Sequence, residues 1–137
     1  MVHYEQSYRY GKAQEAIVLP VLKEFFNREV VATTERYDPF DFYDEKYNYE
    51  MKSRMCKMKA YPDTMITCNK LERSGDKQLI LLFNFFDKLC YIEYDPELFK
   101  NFRKILFSRA SEDWDKKEHI FIPTEHLKLI KEWNPTV

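Results

Sequence analysis

Glycine is almost missing from this chain: there are two in 137 residues, Gly11 and Gly75, far apart. A P-loop or a dinucleotide-binding turn needs clustered glycines, because only a residue without Cβ lets backbone amides close around a phosphate. Neither is present. Cysteine is scarce as well: Cys56, Cys68 and Cys90 are an odd number and hold no C-x-x-C pair. That excludes an even disulfide framework, argues against zinc and suits free thiols in a reducing compartment. No apolar run approaches the roughly 18 residues that a membrane span requires. The opening MVHYEQSYRY lacks the basic-then-apolar order of a leader. These absences lead to the expectation of a soluble, intracellular, cytoplasmic protein with no membrane partner. Charge of one sign is lacking too: 22 basic against 23 acidic side chains give a net charge of -1. No molecule-wide field draws in nucleic acid, so any such footprint must be local.

Aromatic residues, by contrast, are plentiful. Eleven Phe and 10 Tyr contribute to a 17% aromatic fraction within 45% hydrophobic content, which supplies the apolar area needed to offset backbone ordering. A chain of 137 residues fits one compact domain, residues 1–137, with no room for a second.

Periodicity predicts the elements. In residues 11–27, Ala16, Leu19, Leu22, Lys23 and Phe26 recur at helical spacing, and Pro20 is expected to kink that helix or to start a second segment. REVVATTERY, DFYDE and KYNYEMKSRM, rich in β-branched and aromatic residues, predict three short strands. Residues 61–75, with Asp63 as cap and Gly75 as stop, predict a helix of about two to three turns. QLILLFNFF and LCYIEYD predict a hairpin joined by Asp87 and Lys88. After Pro96, apolar residues at 98, 99, 102, 105 and 106 predict a helix; HIFIP predicts a strand, and TEHLKLIKEW a closing helix capped by Thr124. The resulting order is α-β-β-β-α-β-β-α-β-α, an α/β fold with helices flanking a mixed central sheet.

Chemistry concentrates between Glu35 and Glu50. There Glu35, Asp38, Asp41, Asp44, Glu45 and Glu50 face only Arg36 and Lys46. A solvated acidic face is the ordinary explanation of such a cluster. Glu50 and Lys52, however, are separated by one residue, so on a strand both point to one side while Met51 points to the other. Asp41 lies nine residues before Glu50. A turn at Glu45 to Tyr47 followed by an antiparallel return would bring the two carboxylates together. Paired carboxylates suit Mg²⁺, which prefers oxygen ligands and keeps waters that a phosphate can displace. Lys52 beside them could orient the attacking water and stabilise charge developing on phosphorus.

Asp41, Glu50 and Lys52, preceded by a helix bearing Glu15 and followed by further strands, resemble the PD-(D/E)XK nuclease superfamily. Its restriction-endonuclease-like fold also occurs in Holliday-junction resolvases and repair nucleases. The resemblance covers roughly residues 11 to 95 in its order of elements. It implies that Asp41 and Glu50 bind metal, that Lys52 activates water or stabilises the transition state, and that Glu15 is an accessory ligand. Phe40 precedes Asp41 where the family has proline, and Pro39 stands next to Asp38, so Asp38 is a rival. Asp41 is preferred because Phe40 and Phe42 flank it in an alternating strand pattern, whereas Asp38 before Pro39 reads as a turn residue. A glutamate near a helix start, like Glu15, also gains from the helix dipole alone.

Arg54, Lys57 and Lys59 follow with no acid from residue 51 to residue 62. A phosphate backbone could lie along them, though three bases in a solvated loop are ordinary. Lys70 is a further phosphate contact if its segment covers the site, and Ser53 and Asn69 are lesser candidates. Tyr47, Tyr49 and Tyr61 could stack on bases, but packing is the commoner role of tyrosine. His119 and His126 are seven apart, outside helical metal-pair spacing, and His3 sits in a terminus expected to be loose. Cys68 and Cys90 read as small buried hydrophobes, with no partner pattern for a nucleophile.

The expected function is hydrolysis of phosphodiester bonds in DNA, with Mg²⁺ or Mn²⁺ as cofactor. RNA stays compatible with the residues. Little surface is left for base readout, so low sequence specificity is expected, with selectivity for a junction, flap or end; a homodimer would place two cuts on opposite strands. The alternatives are a non-catalytic nucleic-acid-binding or protein-interaction module retaining the nuclease fold, and an α/β protein in which the carboxylate-lysine match is accidental.

Overall fold

The computed structural model describes residues 2–35, 37–107 and 116–133. Helix α1, Val2–Phe26, is followed by strands β1 (Val31–Ala32), β2 (Phe42–Tyr43), β3 (Tyr47–Ser53), β4 (Asp63–Thr67), β5 (Gln78–Asn84) and β6 (Lys88–Glu93). A one-turn helix α2, Pro96–Phe99, then leads to β7 (Lys104–Phe107), β8 (Lys117–Pro123) and β9 (Lys128–Glu132). The class is mixed α/β. One six-stranded sheet runs in the order β1-β2-β3-β5-β6-β9, and a three-stranded sheet in the order β4-β8-β7.

The larger sheet separates two apolar layers. On one face, Val18 and Leu22 of α1 pack with Tyr49 and Met51 of β3, Ile80 and Leu82 of β5 and Leu89 of β6. On the other, Leu79, Leu81 and Phe83 of β5 meet Ile66 of β4 and Ile120 and Ile122 of β8. Successive residues of a strand point to opposite faces, so a strand covered on both sides must be apolar throughout. QLILLFN meets that demand: every residue after Gln78 is buried.

Strands β3 and β5 are parallel neighbours, with Glu50 opposite Leu81 and Lys52 opposite Phe83. The chain between them leaves the sheet and contributes β4 to the smaller one. Arg54, just past β3, ties the two sheets: its guanidinium donates to Thr64 Oγ1 at 3.1 Å and to the Met65 carbonyl.

The three strands expected before residue 54 are present, and so is the β5–β6 hairpin, antiparallel with Phe83 opposite Cys90. Helix α1 begins earlier than periodicity predicts, at Val2, and places His3 in a helix. Pro20 neither ends nor divides it. Pro20 is exposed and so is Ala16, whose carbonyl would have bonded the missing N–H, so water can take that place. The helix closes at Asn27 in the left-handed region (φ 52), with Arg28 N–H bonded to the Lys23 carbonyl at 3.3 Å, a Schellman-type end in which Asn replaces glycine.

Three expected helices are overturned. Residues 63–67 form β4 rather than a helix, with Thr64 and Ile66 buried in alternation and Asp63 paired with Pro123 instead of capping. Thr64, Ile66 and Thr67 are β-branched, and the long antiparallel partner β8 decides in favour of the strand. After Pro96 the helix lasts one turn, capped by Asp95 Oδ1 on Glu97 N–H at 3.0 Å. Phe99 closes on Tyr94 and on Phe102, rings 4.9 and 5.0 Å apart. Ile105 and Leu106 then enter β7, and residues 108–110 of the expected helix lie outside the described residues. Thr124 caps nothing: its hydroxyl donates to the Pro62 carbonyl at 3.1 Å. A 3-10 turn, Thr124–His126, leads into β9 at the edge of the large sheet beside β6. The flanking layers are therefore one helix and one small sheet, and the expected element order does not hold. No helix of the described residues is long and apolar enough to cross a membrane.

Candidate active site

The turn between β2 and β3 builds the centre. Asp44 Oδ1 accepts from the N–H groups of Lys46 (2.8 Å) and Tyr47 (2.7 Å). Its Oδ2 accepts from Arg28 Nε at 2.9 Å and from the Tyr49 hydroxyl. Burial alone would raise the Asp44 pKa, but donors from Tyr49, Tyr47, Lys46 and Arg28 outweigh it and hold the carboxylate below its usual value. With the turn fixed, β2 pairs antiparallel with β3, Phe42 opposite Tyr49 and Tyr43 opposite Asn48. Asp41 lies just before β2, and its charge reaches Glu50, whose pKa it helps to raise. The bond from Asp41 N–H to the Tyr49 carbonyl, 3.0 Å, sets Asp41 as well as Phe42 against Tyr49, a bulge-like irregularity that ends the regular pairing.

Asp41 Oδ2 accepts from Met51 N–H at 2.8 Å. Burial raises the Asp41 pKa, opposed by that N–H and by the charges of Lys52, Lys70 and Lys12. Glu50 is buried at 4% exposure. Its pKa is pushed up to about 7, first by burial and then by the charge of Asp41, against the pull of Lys52 and Lys70. Lys52 Nζ lies 3.4 Å from Glu50 Oε1, and Lys70 Nζ 3.7 Å from Oε2. Glu50 Oε2 nonetheless has no hydrogen-bond partner.

Glu15, on α1, joins from the helix layer. Its pKa is raised by burial and then by the charge of Asp41, and Lys12 Nζ stands 3.3 Å from its Oε1. The expected quartet of Glu15, Asp41, Glu50 and Lys52 is thus electrostatically coupled. Asp38, by contrast, is exposed and turns its Oδ1 to Phe40 N–H at 3.0 Å, as a turn residue does.

Sequence reading did not find Lys12 in this cluster and gave Lys70 a role outside it. Lys70 lies on a 3-10 turn, Cys68–Lys70, and not on the expected helix; its Nζ donates to the Pro39 carbonyl at 2.9 Å. Lys12, three residues before Glu15 on a helix, was legible as an ion-pair neighbour.

The remaining candidates are scattered. Arg54 is occupied between the sheets, whereas Lys57 and Lys59 are exposed on the segment that follows β3. Tyr49 is fully buried against Phe26 and Tyr47, so it has no face for a base; Tyr61 is 65% exposed. Ser53 Oγ is buried without a hydrogen-bond partner and Asn69 is exposed. Cys90 is buried, Cys56 and Cys68 are half-buried, and all three are free thiols.

Among the described residues, no three His, Cys, Asp or Glu side chains converge closely enough to hold a metal ion by themselves. Mg²⁺ asks for less, since it is commonly held by one or two carboxylates plus waters. The donor set here fits that demand. Asp41 commits only one oxygen to Met51 N–H, and Glu50 presents a buried oxygen that has the Lys70 ammonium at 3.7 Å but no hydrogen bond. No protein-family model matches the chain, and neither the curated proteins nor the solved structures contain a match.

Proposed function

We propose that the protein is a metal-dependent nuclease of PD-(D/E)XK type that hydrolyses phosphodiester bonds in DNA with little sequence specificity, selecting a junction, flap or end. One observation carries the reading. Asp41, bonded through its N–H to the Tyr49 carbonyl, lies close enough for its charge to raise the Glu50 pKa, with Lys52 3.4 Å from Glu50 Oε1 and with Glu50 Oε2 buried and lacking a hydrogen bond. A buried carboxylate oxygen without a hydrogen bond, held only by an ammonium at 3.7 Å, still costs free energy, and a divalent cation would offset that cost more directly.

Asp41 and Glu50 would hold Mg²⁺ or Mn²⁺, with Glu15 completing the acidic shell. The ion when bound supplies Lewis acidity toward a phosphate oxygen and lowers the pKa of water. Lys52 orients that water and offsets charge developing on the phosphate. Lys70 and Lys12 limit the mutual repulsion of the carboxylates. Exposed Lys57 and Lys59 supply backbone contacts that position a strand without reading its sequence.

The test is cleavage of labelled single-stranded, duplex, flap and four-way-junction DNA, and of RNA, with Mg²⁺, Mn²⁺ or EDTA. Cutting that needs metal and falls by about a hundredfold or more in Glu50→Ala and Lys52→Ala is expected. No cutting by the wild type, with binding retained, would replace this reading with the non-catalytic module.

A further inference from the structure

Past the end of β3 lies a cavity of about 410 Å³, within the roughly 300–1,000 Å³ of small-molecule sites. Its lining is mainly apolar: Met55, Met58 and Tyr61 come from the segment after β3, Met65 from β4, Phe85 from the end of β5 and Phe121 from β8. Met55 is 73% exposed and Tyr61 65% exposed here, and contiguous apolar surface left open to water marks an interaction site. One wall is fixed, because Arg54 donates to Thr64 Oγ1 and to the Met65 carbonyl and all three residues line the cavity. The rim is positive. Lys57 and Lys59 are exposed and alternate with Cys56 and Met58, with no acid from residue 51 to residue 62. Asp63, the one acidic side chain of the lining among the described residues, has Arg103 Nη2 at 3.9 Å. The cavity shares a sheet face with the candidate active site: the Arg54 guanidinium sits 5.9 Å from the ring of Phe83, the β5 residue opposite Lys52. Two residues of strand separate Arg54 from Lys52, about 7 Å, which is about two nucleotide steps along one strand.

We propose that this cavity receives an unpaired nucleobase of a strand whose phosphates run along Lys57 and Lys59. A base brings flat faces to the Tyr61 and Phe121 rings and a π-system to the methionine sulfurs. It is also carried on an anionic backbone, which the two lysines attract, whereas a neutral apolar peptide would leave them without a counterpart. A base inside a duplex has its faces covered by its neighbours and must leave the stack to enter. Treating the strand as a substrate rests on the nuclease reading above. With a phosphate at Glu50 and Lys52, the cavity takes a base about two nucleotides away, and a junction, a flap or a frayed end is where such a base stands unpaired.

Binding of three probes to the full chain in EDTA tests the assignment: a single-stranded oligodeoxynucleotide, the same strand with its bases removed, and a blunt duplex of equal length. The wild type is expected to bind the intact strand about tenfold or more tightly than the abasic one, and more tightly than the duplex. Tyr61→Ala should weaken binding of the intact strand by about tenfold and remove most of its preference over the abasic strand, while Tyr61→Phe, which keeps the ring, should bind like the wild type. Tyr61 is exposed, so folding should survive both substitutions. Equal affinity of the wild type for intact and abasic strands would overturn the proposal and return the cavity to an apolar protein partner. A Tyr61→Ala variant that binds the intact strand as the wild type does would overturn it as well. Strand binding that depends on Tyr61 without cutting in Mg²⁺ keeps the base site and loses the nuclease reading; metal-dependent cutting with strand binding indifferent to Tyr61 does the reverse.

Discussion

Lys70 Nζ stands 3.7 Å from Glu50 Oε2 while donating to the Pro39 carbonyl at 2.9 Å. One ammonium therefore links the buried carboxylate of β3 to the loop that delivers Asp41. Its stem crosses from the small-sheet side of the molecule, so the link is tertiary and spans 31 residues of sequence to Pro39. Lys70→Ala should lower metal-dependent cleavage by about ten- to a hundredfold, because charge balance and loop position are lost together. Lys70→Met, which keeps the stem without the charge, should lose as much activity. Full activity in Lys70→Met would show that the ammonium is not used.

Glu50 gives the metal-free protein a distinctive pH dependence. Its folded-state pKa of about 7 lies above the 4.5 of a free glutamate, so the folded state binds the extra proton between those values. The associated stability is fully present below 4.5 and is lost as pH rises through 7, on the order of 3 kcal/mol in all. Glu50→Gln should therefore raise Tm at pH 8 and approach the wild type near pH 5. Mg²⁺ should raise the wild-type Tm at pH 8 and leave that of Glu50→Gln nearly unchanged. Equal Tm values across this range in EDTA would contradict the raised pKa.

Asp44 is a structural acid within the same cluster. Its side chain takes hydrogen bonds from Arg28, Lys46, Tyr47 and Tyr49. Asp44→Ala leaves the Arg28 guanidinium and the buried Tyr49 hydroxyl without their shared acceptor and should cost about 3 kcal/mol in urea denaturation. Since the Asp44 pKa is depressed in the fold, its contribution is present above the 3.8 of a free aspartate and is lost as pH falls through the lowered value. A loss below about 1 kcal/mol would mean that the turn forms without it.

The bases after β3 should separate into two groups. Arg54→Ala removes the bonds to Thr64 and Met65 between the sheets and should cost about 2 kcal/mol of stability. Lys57→Ala and Lys59→Ala should leave Tm within a degree or two and each reduce the slope of log K against log salt for DNA by about 1. A reduced salt slope in Arg54→Ala with unchanged stability would reverse this assignment.

How much of the site was legible in sequence follows from its locality. Glu50 and Lys52 share a strand face by alternation, and Asp41 reaches them through a turn whose Asp44 acceptor lies between them in sequence. The β5–β6 hairpin was legible for the same reason, since uninterrupted apolar strands can only lie inside. Helix spacing near Phe99 and Phe102 misled because one helical turn and an aromatic cluster reproduce that spacing, and nothing nearby announces the strand pairing of Ile105 with His119.

The sequence by itself determined the locally encoded parts: a first helix with Leu22 on its buried side, a doubly covered β5, and an acidic turn that places Asp41 beside Glu50. Only the tertiary structure decided that residues 63–67 and 128–132 are strands, because short polar-apolar runs hold either conformation until a partner strand takes up their backbone hydrogen bonds. It alone brought Lys70 to Glu50 and Phe85 and Phe121 to one cavity, since those contacts depend on how the two sheets stack rather than on any spacing along the chain.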